Sequence, residues 1–595
     1  MSQLEQQTIA TKNDGNTIFS NRKFRGFLQH PTAFWFLTPS DRNLNSIINT
    51  GLLLSMLLLI GINSWLILFL LWLIHLSIVT ITSVSGSSFY QYGWESQLLE
   101  TGFLAIFLCD LPFLSMQETI TDWKDKPLVL NRSWQLCALW KDYVPITVTT
   151  SKTRAVTTST NEPSYVILYL MQWLIFRISM GAGLIKIRGS SCWTDKTCLW
   201  YHFETQPLPS PLSFIFHFLP KKMLSSAVDL DLCVQVYFVW LSLIPPLPSW
   251  NKKQKEQHHQ QWTSKMGDIF LVVVKVLCWL RRIGGLIQIS FMIMILLSGN
   301  FSILNHLTIV PALACLDDGM LDFFRMRRRL TPSLTSSGNR QQDTTTTTIT
   351  TKTSPPTTNT TKLQPCRISF YTRWIVDISL LCLIGYLSIP VVTNLLQWKG
   401  KTQQMNASYD PFRLVNTYGA FGSVGTARYE PIISISYDDS GHAGSNTWYE
   451  IDLPCKPGKL TRRPCFCAPY HYRLDWNIWF IGFKPHRAYL YQREQWLFTL
   501  IEKMLKPESK GAYRPWLELL DGSASKYFLP HSKRNPKAVK VEMFHYMMRK
   551  PLWDLIRDNI LGKDSGKVIW WSRKFEETLI PPVKWDPTRN QLVLI

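Results

Sequence analysis

The sequence predicts a polytopic α-helical membrane protein with a C-terminal luminal α+β domain that is rich in strands. Three observations predict it. Apolar residues concentrate in Leu- and Ile-rich runs between residues 46 and 392, several of them near the ~20 residues that a bilayer-spanning helix needs. Beyond Asn394 no window reaches that length. Charged residues are 17% of the 595, while 46% are hydrophobic and 13% aromatic; soluble domains carry about 25% charge. This composition excludes a disordered chain, a collagen-like repeat and a small disulfide-stapled domain. A bilayer admits only helices and closed barrels, and long Leu/Ile runs lack the alternation of barrel strands.

Residues 1–45 form a polar N-terminal segment, and Met1–Asn21 reads as disordered. No apolar core of signal-peptide length precedes residue 46, so the first span directs insertion. Leu52–Thr82 is longer than one span, and Asn63 and Ser64 interrupt it. It reads as two short spans, 46–62 and 65–82, joined by a tight turn, with one long tilted helix as the competing reading. Next come Leu98–Leu114 with Glu100 and Asp110, Tyr165–Ile187 with Arg177 and Lys186, and Ala227–Leu247 with Asp229 and Asp231 near its start. Ile269–Leu297 contains Lys275, Arg281 and Arg282; Phe301–Cys315 is shorter; Trp374–Val392 carries Asp377. The count is about seven or eight spans. It divides the chain into a multi-span region at 46–320, a basic and Thr-rich cytosolic linker at 321–373, the last helix at 374–393 and a C-terminal domain at 394–595.

Basic loops orient membrane helices toward the cytosol. Asn251–Lys265 and Arg325–Arg329 are basic. Both anchors put the 188–226 loop and everything after 393 on the opposite, luminal side; Lys221 and Lys222 run against that assignment. The same count leaves the N-terminus luminal. The Thr/Ser/Pro tract at 331–365 cannot build a core and reads as a flexible linker.

The 12 cysteines divide by environment. Cys109, Cys233, Cys278, Cys315 and Cys382 lie in or beside apolar runs, where inert thiols are expected. Cys192 and Cys198 sit in CWTDKTC, and Cys455, Cys465 and Cys467 in CKPGKLTRRPCFC. On the luminal side of the secretory pathway these are disulfide candidates, with one of the last three left free or paired elsewhere. Their spacing is not a standard zinc pattern, so no metal is expected. C-x-C lacks the helix-start setting that activates a thiol. Asn406-Ala-Ser408 is a glycosylation acceptor pattern; Asn131 and Asn359 head two more, in predicted cytosolic loops.

Charges inside a bilayer default to functional hypotheses. Glu95, Glu100, Asp110, Arg177 and Lys186 are the candidates, with an Arg177–Glu100 or Arg177–Asp110 ion pair holding two helices together. Ser179 and Gly183 are spaced for close helix contact, and Gly181 also allows tight packing. Lys186, at a span end, either snorkels to the interface or, if desolvated, acts as a base. His202 and Glu204 in WYHFETQP offer an acid–base or metal pair, but two apart they face one side only of an extended segment; polar loop residues capping helix ends are the favoured reading.

In the C-terminal domain Glu430–Tyr437, Trp448–Leu453 and Val539–Tyr546 read as strands, with Asp438–Asn446 a hairpin-type loop. Trp476 and Trp479 have helical spacing; Glu494–Lys503 and Pro515–Leu520 read as short amphipathic helices. Walker, nucleophile-elbow, HExxH and dinucleotide signatures are missing, and no cofactor is expected. The net charge of +22 is spread over loops, which suits membrane-surface attraction and not nucleic acid, which wants one basic face. Nothing here sets an oligomeric state.

Long stretches resemble the lipase maturation factor family. They are YGWESQLLETGFLAIFL (92–108), FRISMGAGLIKIRGSSCWTDKTCLWYHFETQP (176–207), SGNFSILNHLTIVPALACLDD (298–318), VNTYGAFGSVGTARY (415–429), CKPGKLTRRPCFCAPYHYRLDWNIW (455–479) and WWSRKFEETLIPPV (570–583). The resemblance implies a multi-pass glycoprotein of the endoplasmic-reticulum membrane with a luminal C-terminus. It also implies a chaperone-like, non-catalytic role in folding, assembly and secretion of dimeric lipases of the lipoprotein-lipase type. The partners implied are folding secreted lipases in the lumen, beside membrane lipid. The family usually has another apolar span before the position of 31–46, and lacks the insertion at 116–163 and the Thr tract. A shorter stretch, GAGLIKIRGSSCW, resembles the transmembrane part of vitamin-K-dependent carboxylases; that resemblance implies a membrane-embedded enzyme with Lys186 as base and Trp193 following. A transporter is a third reading, motivated only by the intramembrane charges.

Overall fold

The computed structural model describes residues 21–109, 163–246, 265–317, 367–397, 402–437, 447–483, 494–506, 517, 519, 520, 536–549 and 568–595. The N-terminal segment is not uniformly irregular. Helix α1 (Asn21–Gln29) leads to a 3-10 turn, Ala33–Trp35, whose Phe34 and Trp35 are buried. Thr32 and Ala33 dock this turn on Ser77, through Thr32 Oγ1 to the Ser77 carbonyl (3.3 Å) and Ala33 N–H to Ser77 Oγ (3.0 Å).

Helices α2 (Asp41–Leu59) and α3 (Trp65–Val84) stand where two segments were expected rather than one long helix, α2 starting before residue 46 because Ser40 caps it and Asp41 opens its first turn. The break between them is a Schellman turn. Gly61 has φ 97°, Ile62 N–H reaches the Leu57 carbonyl (3.0 Å) and Gly61 N–H that of Leu58 (2.9 Å). That left-handed conformation costs glycine nothing; Ser64 then caps α3. Gly86, at φ 70°, closes α3 in the same way.

Helix α4 (Gly93–Ile106) packs on α3, and α5 (Tyr165–Arg188) on α4. Two short helices follow, α6 (Leu199–Thr205) and α7 (Pro211–His217). Helix α8 (Lys221–Leu232) continues through a π turn, Cys233–Tyr237, and a 3-10 turn, Phe238–Leu243. Then come α9 (Lys265–Ser298), α10 (Leu304–Leu313) and α11 (Arg367–Leu395). Among the described residues five segments are long and apolar enough to cross a membrane: Trp65–Val84, Tyr165–Arg188, Lys221–Leu243, Val272–Ser298 and Thr372–Leu395. The runs Leu98–Leu114 and Phe301–Cys315 yield helices of only 14 and 10 residues. At about 1.5 Å per residue neither matches a ~30 Å hydrocarbon layer. The count of seven or eight is thus reached only with α2, α4 and α10 included.

Helix α5 is the axis of the bundle, with 72% of its apolar window buried against 22–33% for the other four. It runs parallel to α11: Ser164 Oγ meets Asp377 (2.7 Å), Trp173 Nε1 meets Ser388 (2.9 Å) and Arg188 meets the Leu395 carbonyl (2.7 Å). The small residues of α5 each admit a neighbour. A Cβ on Gly181 would strike the Tyr418 carbonyl, and one on Gly183 the Val236 side chain.

The C-terminal domain holds a five-stranded antiparallel sheet of order β2–β1–β3–β4–β5. The strands are β1 (Arg428–Ser436), β2 (Tyr449–Glu450), β3 (Ala538–Met548), β4 (Trp571–Asp586) and β5 (Gln591–Leu594). One face, with Ile433, Ile435, Val541 and Met543, packs on α12 (Arg473–Ile481) and α13 (Gln495–Leu505). On the other face Tyr546, Met548 and Trp571 receive Phe214 from α7. Strand β2 is only two residues of the predicted Trp448–Leu453. The loop 438–446, half of 515–520 and the linker from 321 to 366 lie outside the described residues; α11 itself begins at Arg367, before the predicted 374.

Candidate functional site

The segments 85–95, 188–220, 299–303, 402–437 and 447–479 meet at one end of the bundle. Ser88 Oγ donates to Asn477 Oδ1 (2.8 Å), Asn300 Nδ2 to the Cys465 carbonyl (2.8 Å), and Trp479 Nε1 to the Thr205 carbonyl (2.9 Å). Of the charged side chains singled out in the apolar runs, Glu100, Arg177 and Lys186 reach this junction, whereas Asp377 meets Ser164 at the other end of α5 and Arg281 and Arg282 pair with Asp317.

Arg177, 1% exposed, forms a buried ion pair with Glu100, also 1% exposed. A third party completes it. Glu100 Oε2 accepts from Asn416 N–H (3.2 Å), Asn416 Nδ2 (3.1 Å) and the Tyr418 hydroxyl (2.8 Å), and Arg177 donates to the Asn416 carbonyl (2.9 Å). The pair therefore anchors the start of the C-terminal domain as well as two helices. Asp110, the other candidate partner, lies outside the described residues.

Lys186 Nζ donates to both oxygens of Asp231 (2.8 and 2.6 Å) and lies 4.6 Å from the Trp193 ring centroid. The ammonium is bound on α8 and does not snorkel. His202 and Glu204 sit on helix α6, so they diverge, contrary to what an extended segment would give. His202 stands edge-on to Phe421 at 4.8 Å; burial, then the Lys186 charge, pushes its imidazole down to about 3. Glu204 accepts the Met548 N–H (2.5 Å). The two are no acid–base couple.

A second buried cluster was not singled out in the sequence. Arg428, 1% exposed, pairs with Glu430 (Nε to Oε1, 2.6 Å), which also pairs with Lys456. Its remaining donors reach the carbonyls of Glu204 (2.8 Å), Gln206 and Pro207 (2.9 Å). Arg428 thus ties β1 to the 188–220 loop.

Cys192 is disulfide-bonded to Cys198, and Cys455 to Cys465, with Cα atoms 4.8 and 5.6 Å apart. Cys467 is a free thiol, and the three sulfurs of Cys455, Cys465 and Cys467 lie within 4.8 Å of one another. This is the one cluster of metal-ligand type among the described residues, and the disulfide ties up two of its three sulfurs. Asp475 Oδ1 accepts from the Cys455 and Lys456 N–H groups (2.8 and 2.7 Å). Burial pushes the Asp475 carboxyl up to about 6, and burial with the Asp475 charge pushes the Cys467 thiol up to about 12. Such a thiol is a weak nucleophile. Asn406 is exposed with φ 54°, and Ser408 Oγ donates to Asn416 Oδ1 (2.5 Å). Asn131 and Asn359 lie outside the described residues.

The family model described as "Lipase maturation factor transmembrane domain" matches residues 12–254 and 246–323, and that described as "Lipase maturation factor C-terminal domain" matches 414–581. Lipase maturation factor 1 of Mus musculus is 32% identical over 571 residues, 94% of this chain and 78% of that protein. The protein of that name in Homo sapiens is 31% identical over 568 residues, 95% and 79% of the two chains. Lipase maturation factor 2 of Rattus norvegicus is 24% identical over 637 residues, 95% and 77%. No solved structure matches the chain.

Proposed function

We propose that this chain, which belongs to the lipase maturation factor family, assists the folding, assembly and secretion of lipases of the lipoprotein-lipase type by holding the client, without catalysis. Its place is the endoplasmic-reticulum membrane, with the 188–226 loop and the C-terminal domain in the lumen. The relatives' names support lipase maturation. The two disulfides, one in the loop and one in the domain welded to it, support the oxidising side.

The observation that carries client holding is an exposed aromatic set. Phe466, Tyr470, Phe480 and Phe483 are 61%, 65%, 41% and 47% exposed, all within the 466–483 segment. Exposed apolar patches of this kind mark interaction sites. The segment is anchored from behind by Asn300 and Trp479, so the rings are presented on a fixed base. The alternative, a membrane enzyme with Lys186 as base, is disfavoured by the two hydrogen bonds that hold that ammonium on Asp231.

The test is lipase activity secreted from cells lacking their own factor, with this chain added back. The wild type is expected to rescue, and Phe480→Ser/Phe483→Ser to fail at equal expression. A Lys186→Met/Asp231→Leu variant, which removes base and counter-charge together, should still rescue. Loss of rescue there, with the protein folded, would bring the enzyme reading forward.

A further inference from the structure

A cavity of about 580 Å³ lies between the membrane bundle and the C-terminal domain, apart from the Lys186 cluster and with Tyr470 of the exposed aromatic set among its lining residues. That volume is in the range of small-molecule sites. Its floor is His75 of α3 with Leu98 of α4; its roof is the 469–475 stretch and its side is Ser302 and Ile303.

Most charges on this wall satisfy one another. Arg473 donates to Glu95 (2.7 Å) and to the Phe89 carbonyl (2.6 Å) and lies 3.7 Å from the Tyr90 ring centroid. His75 Nε2 is 3.3 Å from the other Glu95 oxygen. The formal charge left on this wall is the Asp475 carboxylate, which disfavours an anionic ligand. Unpaired hydrogen-bonding atoms are left beside it. Ser302 Oγ, both ring nitrogens of His471 and Asp475 Oδ2 are buried and have no hydrogen-bond partner among the described residues. Ser302 and Asp475 are each 1% exposed. All three residues line this one cavity. Leaving buried polar atoms unpaired is costly, so a group of them around one space is what a polar ligand head would repay. The His471 imidazole is neutral, pushed down to about 3 by burial and then by Arg473, so it offers one donor and one acceptor. It is clamped edge-on against Tyr92 and Trp94, at 4.7 and 4.9 Å. Ser302 holds a left-handed φ of 54°, a conformation rare outside glycine and found where a side chain must be aimed. A phosphate head has acceptors only, and the nearby Asp475 carboxylate would repel it. A head with hydroxyls both donates and accepts.

We propose that this cavity binds an uncharged amphiphile with a hydroxylated head, of the monoacylglycerol type. The head bonds to Ser302, His471 and Asp475, and the chain leaves along Leu98 and Ile303 toward the bilayer.

The probe is 1-oleoylglycerol carrying a diazirine in its acyl chain, photolysed with the full chain in lipid nanodiscs. Saturable labelling is expected on peptides of α3, α4, 299–303 or 469–475. Unlabelled 1-oleoylglycerol should abolish it, and 1-oleoylglycerol 3-phosphate should compete about tenfold less well, the cost of one mismatched polar group. Ser302→Ala should weaken labelling about fivefold, and Leu98→Trp, which fills the floor, should remove it. Four results would overturn the proposal: no saturable labelling, as from a water-filled space; labelling spread over α9 and α11; equal competition by both heads; or unchanged labelling in Ser302→Ala. The head-group comparison is made on the wild type, so it decides even if Leu98→Trp does not fold.

Discussion

Replacing Arg428 with methionine keeps an unbranched apolar stem and removes the guanidinium with its five donors. The guanidinium is 1% exposed and serves Glu430 and three loop carbonyls at Glu204, Gln206 and Pro207. Breaking one partner out of a buried ion pair costs roughly 3–5 kcal/mol. Each orphaned carbonyl adds about 1–3 kcal/mol where water cannot reach it. Lys456 remains on Glu430, which holds the first figure at its lower end, and the 188–220 loop lies near the surface and can rehydrate. A net loss of about 4 kcal/mol follows, since the terms do not add in full. For a unit of 150–250 residues that is a fall of about 8–16 °C in Tm. Arg428→Lys retains the charge and loses the fork, so about half the fall is expected. The assay is thermal challenge of the detergent-solubilised full chain, fused to a fluorescent protein and followed by size-exclusion chromatography. A Tm for Arg428→Met within about 2 °C of wild type would refute the claim that this residue welds the sheet to the loop.

Asp475→Asn tests the buried carboxyl. Its folded value of about 6 stands above the ordinary 3.8. Below 3.8 it is protonated folded and unfolded; above 6 it is ionised in both, and folding has lost roughly 3 kcal/mol relative to acid. Asparagine keeps Oδ1 for the Cys455 and Lys456 N–H groups and cannot ionise. The variant should melt higher than wild type at pH 7.5, the gap closing as pH falls from 6 to 4; a gap that ignores pH would sink the assignment. Cys467, with its thiol pushed up to about 12, should alkylate in the folded protein about a thousandfold more slowly than after denaturation, read by peptide mass spectrometry. Glu100→Gln leaves Arg177 charged and unpaired in the bundle, so the yield of folded protein should collapse, and Glu100→Gln/Arg177→Gln should recover part of it. Equal yields of single and double variants would show that the pair is not coupled.

The membrane helices were legible because bilayer solvation leaves long apolar runs no other structure. Their exact limits were less so. Asn63 and Ser64 mark the α2–α3 break, but the turn itself is made by Gly61, whose φ no composition displays. The 14- and 10-residue lengths of α4 and α10 are set by packing on α3, α5 and α9, while the apolar composition runs on. Strands β1 and β3 show themselves as β-branched runs. Strand β4 does not, since WSRKFEETLIPPVKWD leaves Lys574, Phe575 and Glu576 exposed and contains two prolines, Pro581 and Pro582. The sequence offered Glu100 as a partner for Arg177 because both are charges in apolar runs. Asn416 and Tyr418, which complete that site from 316 and 318 positions beyond Glu100, look like ordinary polar loop residues. Arg428 hid among the chain's many basic residues, and the divergence of His202 from Glu204 follows from the helical form of α6.

Helix α5 carries a polar contact at each of three levels, and each goes to a different neighbour. Ser164 meets Asp377 on α11, Arg177 meets Glu100 on α4, and Lys186 meets Asp231 on α8. In a bilayer apolar packing gives no net drive for one helix to choose another, because lipid tails are as apolar as leucine. A buried charge does choose, since every wrong neighbour leaves it unpaired. These contacts therefore fix which helices surround α5 and at what height. Gly181 and Gly189 then let the Tyr418 and Gly422 backbones close onto the axis, and from there the chain enters β1 at Arg428 with its position already set. The bundle's intramembrane charges thus serve to place the C-terminal domain.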